Sequence, residues 1–248
     1  MMYGEFAAVY DRLMDDFDYA GWADYYLALI TRCGCAPKSV CECACGTGSL
    51  TAELAARGLQ VTASDISNEM LQEARRKLFA RGVQAMLVCS DMCEMRLPRP
   101  VDAVICACDG VNYLTTDARL SAFFQTASDM LRPGGMLAFD ISTQYKLEHI
   151  LGDGFFGEER EDVAYLWSNH WNGEKKTVAM DITFFVREAD GRYRRFSESH
   201  LQKAHSPKHL AELLKNCGFS DVEVFGDRTF EAPSAQETRI HLACRKGI

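Results

Sequence analysis

No apolar run in the 248 residues approaches the roughly 20 needed to cross a bilayer as a helix, so a membrane-spanning helix is not expected. Positive charge is in deficit. The chain has 27 Lys and Arg against 35 Asp and Glu, a formal charge of −8, so nothing draws it toward a polyanion and nucleic acid is disfavoured as the main partner. Internal repeats, low-complexity tracts and disordered linkers are missing as well, as is metal-ligand spacing among the 11 cysteines. Cys33/Cys35, Cys41/Cys43 and Cys106/Cys108 are separated by a single residue, whereas zinc ligands usually have two to four between them. No metal site is expected, and the thiols read as reduced, buried small hydrophobes. Met1-Met2-Tyr3-Gly4-Glu5 carries neither the basic region nor the apolar core of a secretion signal. The expected location is the cytoplasm.

What is present is an average soluble composition, 48% apolar and 25% charged, in a length suited to one large domain or one domain with an insertion. Up to about residue 145, short apolar runs alternate with amphipathic stretches. Strands are expected at 40–45, 60–63, 85–89, 103–107 and 136–141, and helices at 49–57, 68–81 and 117–131. Met70, Leu71, Ala74 and Leu78 form the apolar stripe of the second helix. Arg132-Pro133-Gly134-Gly135 is expected to stop the third, with glycine as its left-handed terminus. Continuous apolar strands joined by helices imply α/β architecture, a doubly wound parallel sheet.

From about 152 to 205 the texture becomes alternating and aromatic. Strands are expected at 162–171, 177–186 and 193–204, with hairpin turns at Asn172-Gly173 and Asp190-Gly191. This is an antiparallel β insertion. A helix at 207–217, N-capped by Ser206 and ended by Gly218, and strands at 222–226 and 239–245 then complete the α/β pattern. The expected organisation is 1–150 for a helical cap and core, 151–205 for the insertion and 206–248 for completion of the core.

The sharpest motif is Glu42-Cys43-Ala44-Cys45-Gly46-Thr47-Gly48, between the first strand and the first core helix. Glycines there let backbone approach a ligand, and the helix start offers free N–H groups; a tight turn alone would need the same glycines. Asp65 after the second strand, Asp91 after the third and Asp109 after the fourth put acids along one carboxyl edge, where a nucleoside would sit. Read separately, Asp65 could cap a helix and Asp91 could simply turn the chain.

The segment 40–48, with Asp65, Asp91-Met92 and Leu131-Arg132-Pro133-Gly134-Gly135, resembles the class I S-adenosylmethionine-dependent methyltransferases. The family usually has Gly at the position of Ala44. The resemblance implies a Rossmann-like seven-stranded sheet whose last strand is antiparallel, and S-adenosyl-L-methionine as cofactor. It implies Glu42 and the loop Ala44, Cys45, Gly46 and Gly48 at the methionine end, Asp65 at the ribose, Ile66, Asp91 and Met92 around the adenine, Met70 nearby, and Cys108 near the reactive methyl. Phe6-Ala7-Ala8-Val9-Tyr10-Asp11-Arg12-Leu13-Met14 with Tyr19 and Trp22, and Glu198-Ser199-His200-Leu201-Gln202-Lys203-Ala204-His205-Ser206-Pro207, resemble the cap and the insertion return of glycine and amino-sugar N-methyltransferases.

The function expected is therefore N- or O-methylation of a small-molecule acceptor. Tyr10 and Trp22 would close over the cofactor, though both also suit plain helix packing. Strand alternation sets Glu198, His200 and Gln202 on one face. His200 is the candidate base or substrate ligand, with Glu198, Asp109, Asn112 and Tyr113 lining the acceptor pocket; a structural histidine is the plainer reading. Two alternatives remain. A nicotinamide-dependent oxidoreductase would use the same fold, but its Gly-x-Gly-x-x-Gly fingerprint meets Thr51 at the third glycine; the other is a non-catalytic module binding the same cofactor. The basic Arg192-Tyr193-Arg194-Arg195 reads as a solvated hairpin, and homodimer formation is left open.

Overall fold

A computed structural model describes residues 6–247; the opening Met1–Glu5 segment considered above lies outside the described residues. The chain builds a seven-stranded sheet. In chain order its strands are β1 (Ser39–Cys43), β2 (Gln60–Asp65), β3 (Met86–Cys89), β4 (Val101–Cys106) and β5 (Leu131–Ser142), then β10 (Phe219–Gly226) and β11 (Arg239–Lys246). Across the sheet the order is β10-β11-β5-β4-β1-β2-β3. The first five strands are mutually parallel, and β11 runs antiparallel to both β5 and β10. After β1 the chain winds outward through β2 and β3, then returns to the other side of β1 for β4 and β5. That reversal opens a crevice at the carboxyl ends of β1 and β4, where α/β sheets bind ligands.

Helices α1 (Ala7–Leu13), α2 (Tyr19–Arg32), α3 (Ser49–Ala56), α4 (Asn68–Ala80), α5 (Asp117–Met130) and α6 (Pro207–Asn216) accompany the sheet. Side-chain caps start three of them: Asp18 accepts from the Gly21 amide, Ser67 from Met70 and Thr116 from Arg119. One sheet face buries Phe139 against Leu120, Phe123 and Phe124 of α5 and Leu210 and Leu214 of α6. The other packs Ala63, Ile105 and Ala138 beneath Tyr26, Leu29, Ile30 and Leu54. Strands covered on both faces need to be apolar throughout, and the uninterrupted burial of Ala103 to Cys106 shows this.

The second sheet is antiparallel: β6 (Phe155–Glu159), β7 (Val163–Asn172), β8 (Thr177–Arg187) and β9 (Tyr193–Lys203). Its inner face joins the core twice. Val163, Phe184 and Val186 pack with Phe6 and Val9 and with Met70 of α4, and Val178 and Met180 pack on Leu147.

Several local expectations are corrected. Helix α5 ends because Leu131 turns extended, and β5 begins there; left-handed Gly134 (φ +73°) lies within a shift of register between β4 and β5 and is not the helix terminus. Ser206 stands at the start of α6 without a side-chain cap, Pro207 supplying the preset geometry. Strand β6 and a π-helical turn at Lys146–Leu151 were not foreseen. All eleven thiols are free, but Cys89 is exposed and Cys33, Cys108 and Cys217 are only half-buried. The basic hairpin is neutralised locally, Arg192 pairing with Asp190 and Arg194 with Glu188.

Candidate active site

One cavity of about 820 Å³ runs from the carboxyl edge of the large sheet to the inner face of the insertion, toward the upper end of the range for small-molecule sites. Of the residues singled out in the sequence, Tyr10, Glu42, Ala44, Cys45, Gly46, Asp65, Ile66, Met70, Asp91, Met92, Cys108, Asp109, Tyr113 and His200 line it. Residues from six elements and the loops between them thus face one space.

Three backbone positions shape its floor. Ala44 (φ +55°), Cys108 (φ +57°) and Asp109 (φ +54°) are left-handed without being glycine, a conformation that costs of order 1–2 kcal/mol for an ordinary residue. The surroundings hold them. A Cβ on Gly110 would meet Cys106 Sγ at 2.8 Å and the Ala44 methyl at 3.3 Å, so β4 can turn under the loop only because residue 110 has no side chain. Strain of this kind collects at functional sites.

The acids behave differently from one another. Glu42 is buried and accepts from Thr51 Oγ1; burial first, then the nearby Asp65 charge, push its pKa up to about 8 against the pull of Thr51 and Lys77. Asp65 accepts from the amides of Gly46 and Ser67, both at 2.9 Å. Burial nevertheless raises its pKa. It does not cap α4, a task that Ser67 performs. Asp91 would be raised by burial, but the Cys93 amide and the Arg119 guanidinium, 2.7 Å away, outweigh it and leave its pKa low.

Asp109 belongs to a buried cluster. Arg239, at the start of β11, lies 2.7 Å from Asp109 Oδ1 and also pairs with Asp140; Gln202 Nε2 donates to Asp109 Oδ2 at 2.8 Å. Asp140 further accepts from Tyr26 Oη and from the Asp109 amide. Burial would raise the Asp109 pKa, but Arg239 and Lys146 prevail and it stays lowered.

Four expected site residues do not line the cavity. Trp22 is 4% exposed, turned to the sheet by the apolar face of α2, with Arg239 5.1 Å over its ring. Gly48 starts α3 in the left-handed region, and a Cβ there would come within 2.7 Å of the Ala74 methyl, so its smallness serves helix packing. Asn112 is fully buried and binds backbone, donating to the Ser142 and Lys203 carbonyls and accepting from the Ser142 amide. It ties β5 to the end of the insertion. Glu198 shares the buried face of β9 with His200 and Gln202 but stays outside the lining.

His200 is buried, its Nδ1 3.5 Å from Tyr113 Oη, and burial lowers its pKa. The structure also brings in Tyr19, quoted above only as part of the cap, and Arg119, Lys146 and Trp167, which sequence reasoning missed. Lys146 follows the carboxyl end of β5 as the three acids follow theirs, and that position was the available signal.

The chain matches the methyltransferase domain family over residues 40–135. It is 34% identical over 247 residues to "Putative methyltransferase YqeM" of Bacillus subtilis (strain 168), covering 99% of this chain and 98% of that protein. A solved S-adenosylmethionine-dependent methyltransferase from Clostridium acetobutylicum superposes with a TM-score of 0.88 at 30% identity, over 99% of each chain. The chain belongs to the S-adenosylmethionine-dependent methyltransferases. The methyltransferase is also 26% identical over 187 residues, 74% of its chain and 76% of the relative, to a dTDP-3-amino-3,4,6-trideoxy-alpha-D-glucopyranose N,N-dimethyltransferase of Streptomyces venezuelae.

The residues fit such a cofactor. Ile66, 59% exposed, offers an uncovered apolar face on the cavity wall, suited to a purine ring. No described residue lies within 4 Å of where a Gly46 Cβ would stand, so backbone is open to close approach. Asp65 retains acceptor capacity beyond its two amides, as a pair of sugar hydroxyls requires.

Proposed function

We propose that the methyltransferase moves a methyl group to a nitrogen of a small-molecule acceptor seated between the β4–β5 edge and the inner face of the insertion. The observation that carries this reading is the continuity of one cavity from Asp65 and Ile66, through Glu42 and Cys108, to Tyr113, Trp167 and His200. S-adenosylmethionine, when bound, supplies an electrophilic methyl on a sulfonium. The chain's own contribution is alignment and exclusion of water, which account for several orders of magnitude in such displacements. Asp65 would hold the ribose hydroxyls, Ile66 and Met92 the adenine, and Glu42 with the Ala44–Gly46 loop the methionine end.

Nitrogen is favoured over oxygen by the N,N-dimethyltransferase relative, whose similarity spans 74% of this chain. An amine arriving as ammonium must lose a proton. His200, kept neutral at pH 7 by burial, is placed to accept it at a ring nitrogen. Residues 151–205 then act as the substrate cover.

The test is binding of S-adenosylhomocysteine by calorimetry. The wild type binds in the micromolar range, and Asp65→Ala weakens binding at least tenfold with the fold intact by circular dichroism. Equal affinity in both proteins would remove Asp65 from the site, and no binding to folded wild type would overturn the assignment.

A further inference from the structure

Among the described residues, no carboxylate pairs with the Lys146 ammonium within 4 Å, although it lines the cavity. It stands in the π-helical turn Lys146–Leu151 that follows β5, and such turns collect at functional sites. Its side chain lines the cavity, and its ammonium makes one hydrogen bond among the described residues, to Ser142 Oγ at 3.1 Å. Three donors belong to an ammonium. The neighbouring carboxylates are engaged elsewhere: Asp109 by Arg239 and Gln202, Asp140 by Arg239, Tyr26 and the Asp109 amide. Burial lowers the Lys146 pKa, with the charges of Asp109 and Asp140 opposing it, yet neither acid pairs with Nζ within 4 Å. The remaining donors point to a ligand.

Strand order says which ligand. Neighbouring strands are about 4.8 Å apart, and β5 lies on the far side of β4 from β1 and β2. The expected ribose and adenine contacts stand at β2 and β3, and the methionine contacts at β1 and β4. Lys146, in the turn after β5, therefore stands two strands across from β1, and it shares the cavity wall with Leu151, Trp167 and Met180 at the insertion end.

Resting on the methyltransferase reading above, we infer that the acceptor carries an anionic group, a carboxylate or a phosphate, bound by Lys146, next to an apolar portion packed on Leu151, Trp167 and Met180. A fixed cation there also discourages protonation of an acceptor amine nearby, which keeps its lone pair available.

The experiment measures binding of benzoate and of inorganic phosphate, separately, to the wild type saturated with S-adenosylhomocysteine, by calorimetry at low ionic strength. At least one anion binds in the millimolar range. Lys146→Met weakens it tenfold or more, Lys146→Arg restores most of it, and affinity for S-adenosylhomocysteine stays within twofold in all three proteins. Benzoate alone assigns a carboxylate, phosphate alone a phosphate. The inference is overturned if neither anion binds, if Lys146→Met binds as the wild type does, or if the substitution instead abolishes S-adenosylhomocysteine binding, which would give Lys146 to the cofactor. Failure of the wild type to bind S-adenosylhomocysteine would strike the functional reading itself.

Discussion

Glu42 lies at the carboxyl end of β1 with its pKa pushed up to about 8, chiefly by burial. In the free protein it therefore holds a proton at pH 7. If it faces the ammonium of the methionine end, that cation favours the carboxylate, so binding expels the proton. Affinity for S-adenosylmethionine should then rise with pH up to about 8, and calorimetry in two buffers of different ionisation heat should report release of a substantial fraction of one proton near pH 7. Glu42→Gln removes both the release and the pH dependence. The identity of the acids was legible in the sequence because each ends an apolar strand. Their different protonation was not, since it depends on burial and on Thr51 and Arg119, which come from other elements.

Helix α1 is short, and what holds it comes from elsewhere. Asp11 accepts from Thr47 Oγ1 at 2.6 Å and pairs with Lys77 of α4 at 2.8 Å; Arg12 pairs with Asp162, and Arg160 reaches the Arg12 carbonyl and Asp15. The cap thus clasps the glycine loop on one side and the insertion on the other. Asp11 is 43% exposed, so its ion pair contributes less than about 1 kcal/mol. Asp11→Ala should lower global stability by no more than that, while hydrogen exchange over residues 7–13 accelerates severalfold and exchange in β1 and β4 is unchanged. Equal acceleration throughout would mean that the cap is part of the global folding unit. Periodicity revealed α3, α4, α5 and α6, α4 within a residue at its end, but set no bounds for α2. It missed the π-helical turn and β6, which lack a repeating apolar stripe and are stabilised by docking on Val178, Met180 and Trp167.

At the level of the whole molecule, the joint between insertion and core is a buried polar seam. Asn112 binds the Ser142 and Lys203 carbonyls there, and His205, just after β9, is buried beside Val111 with Nε2 lacking a hydrogen-bond partner among the described residues. Burial first, and Lys203 second, lower the His205 pKa to about 4. The unfolded chain takes up the proton near pH 6.5 and the folded one resists until about 4, so the unfolded state binds more protons in that window. Stability should fall as pH drops from about 6.5 to about 4, by at most about 3 kcal/mol from this group. Urea midpoints of wild type and His205→Gln compared across that range check it: the variant's curve should be flatter, and parallel curves would exclude His205.

Sequence alone determined the strand and helix alternation, the antiparallel insertion and the acids at the sheet edge, because these follow from local periodicity and from where apolar runs stop. Tertiary structure decided which side chains share the cavity. Trp22 and Asn112 were drawn into packing and backbone bonds, while Lys146, Arg239 and Gln202, the last 93 residues from Asp109 and Arg239 farther still, were gathered around its strained turn. Such groupings depend on contacts far apart in the chain, and no local pattern of apolar and polar residues encodes them.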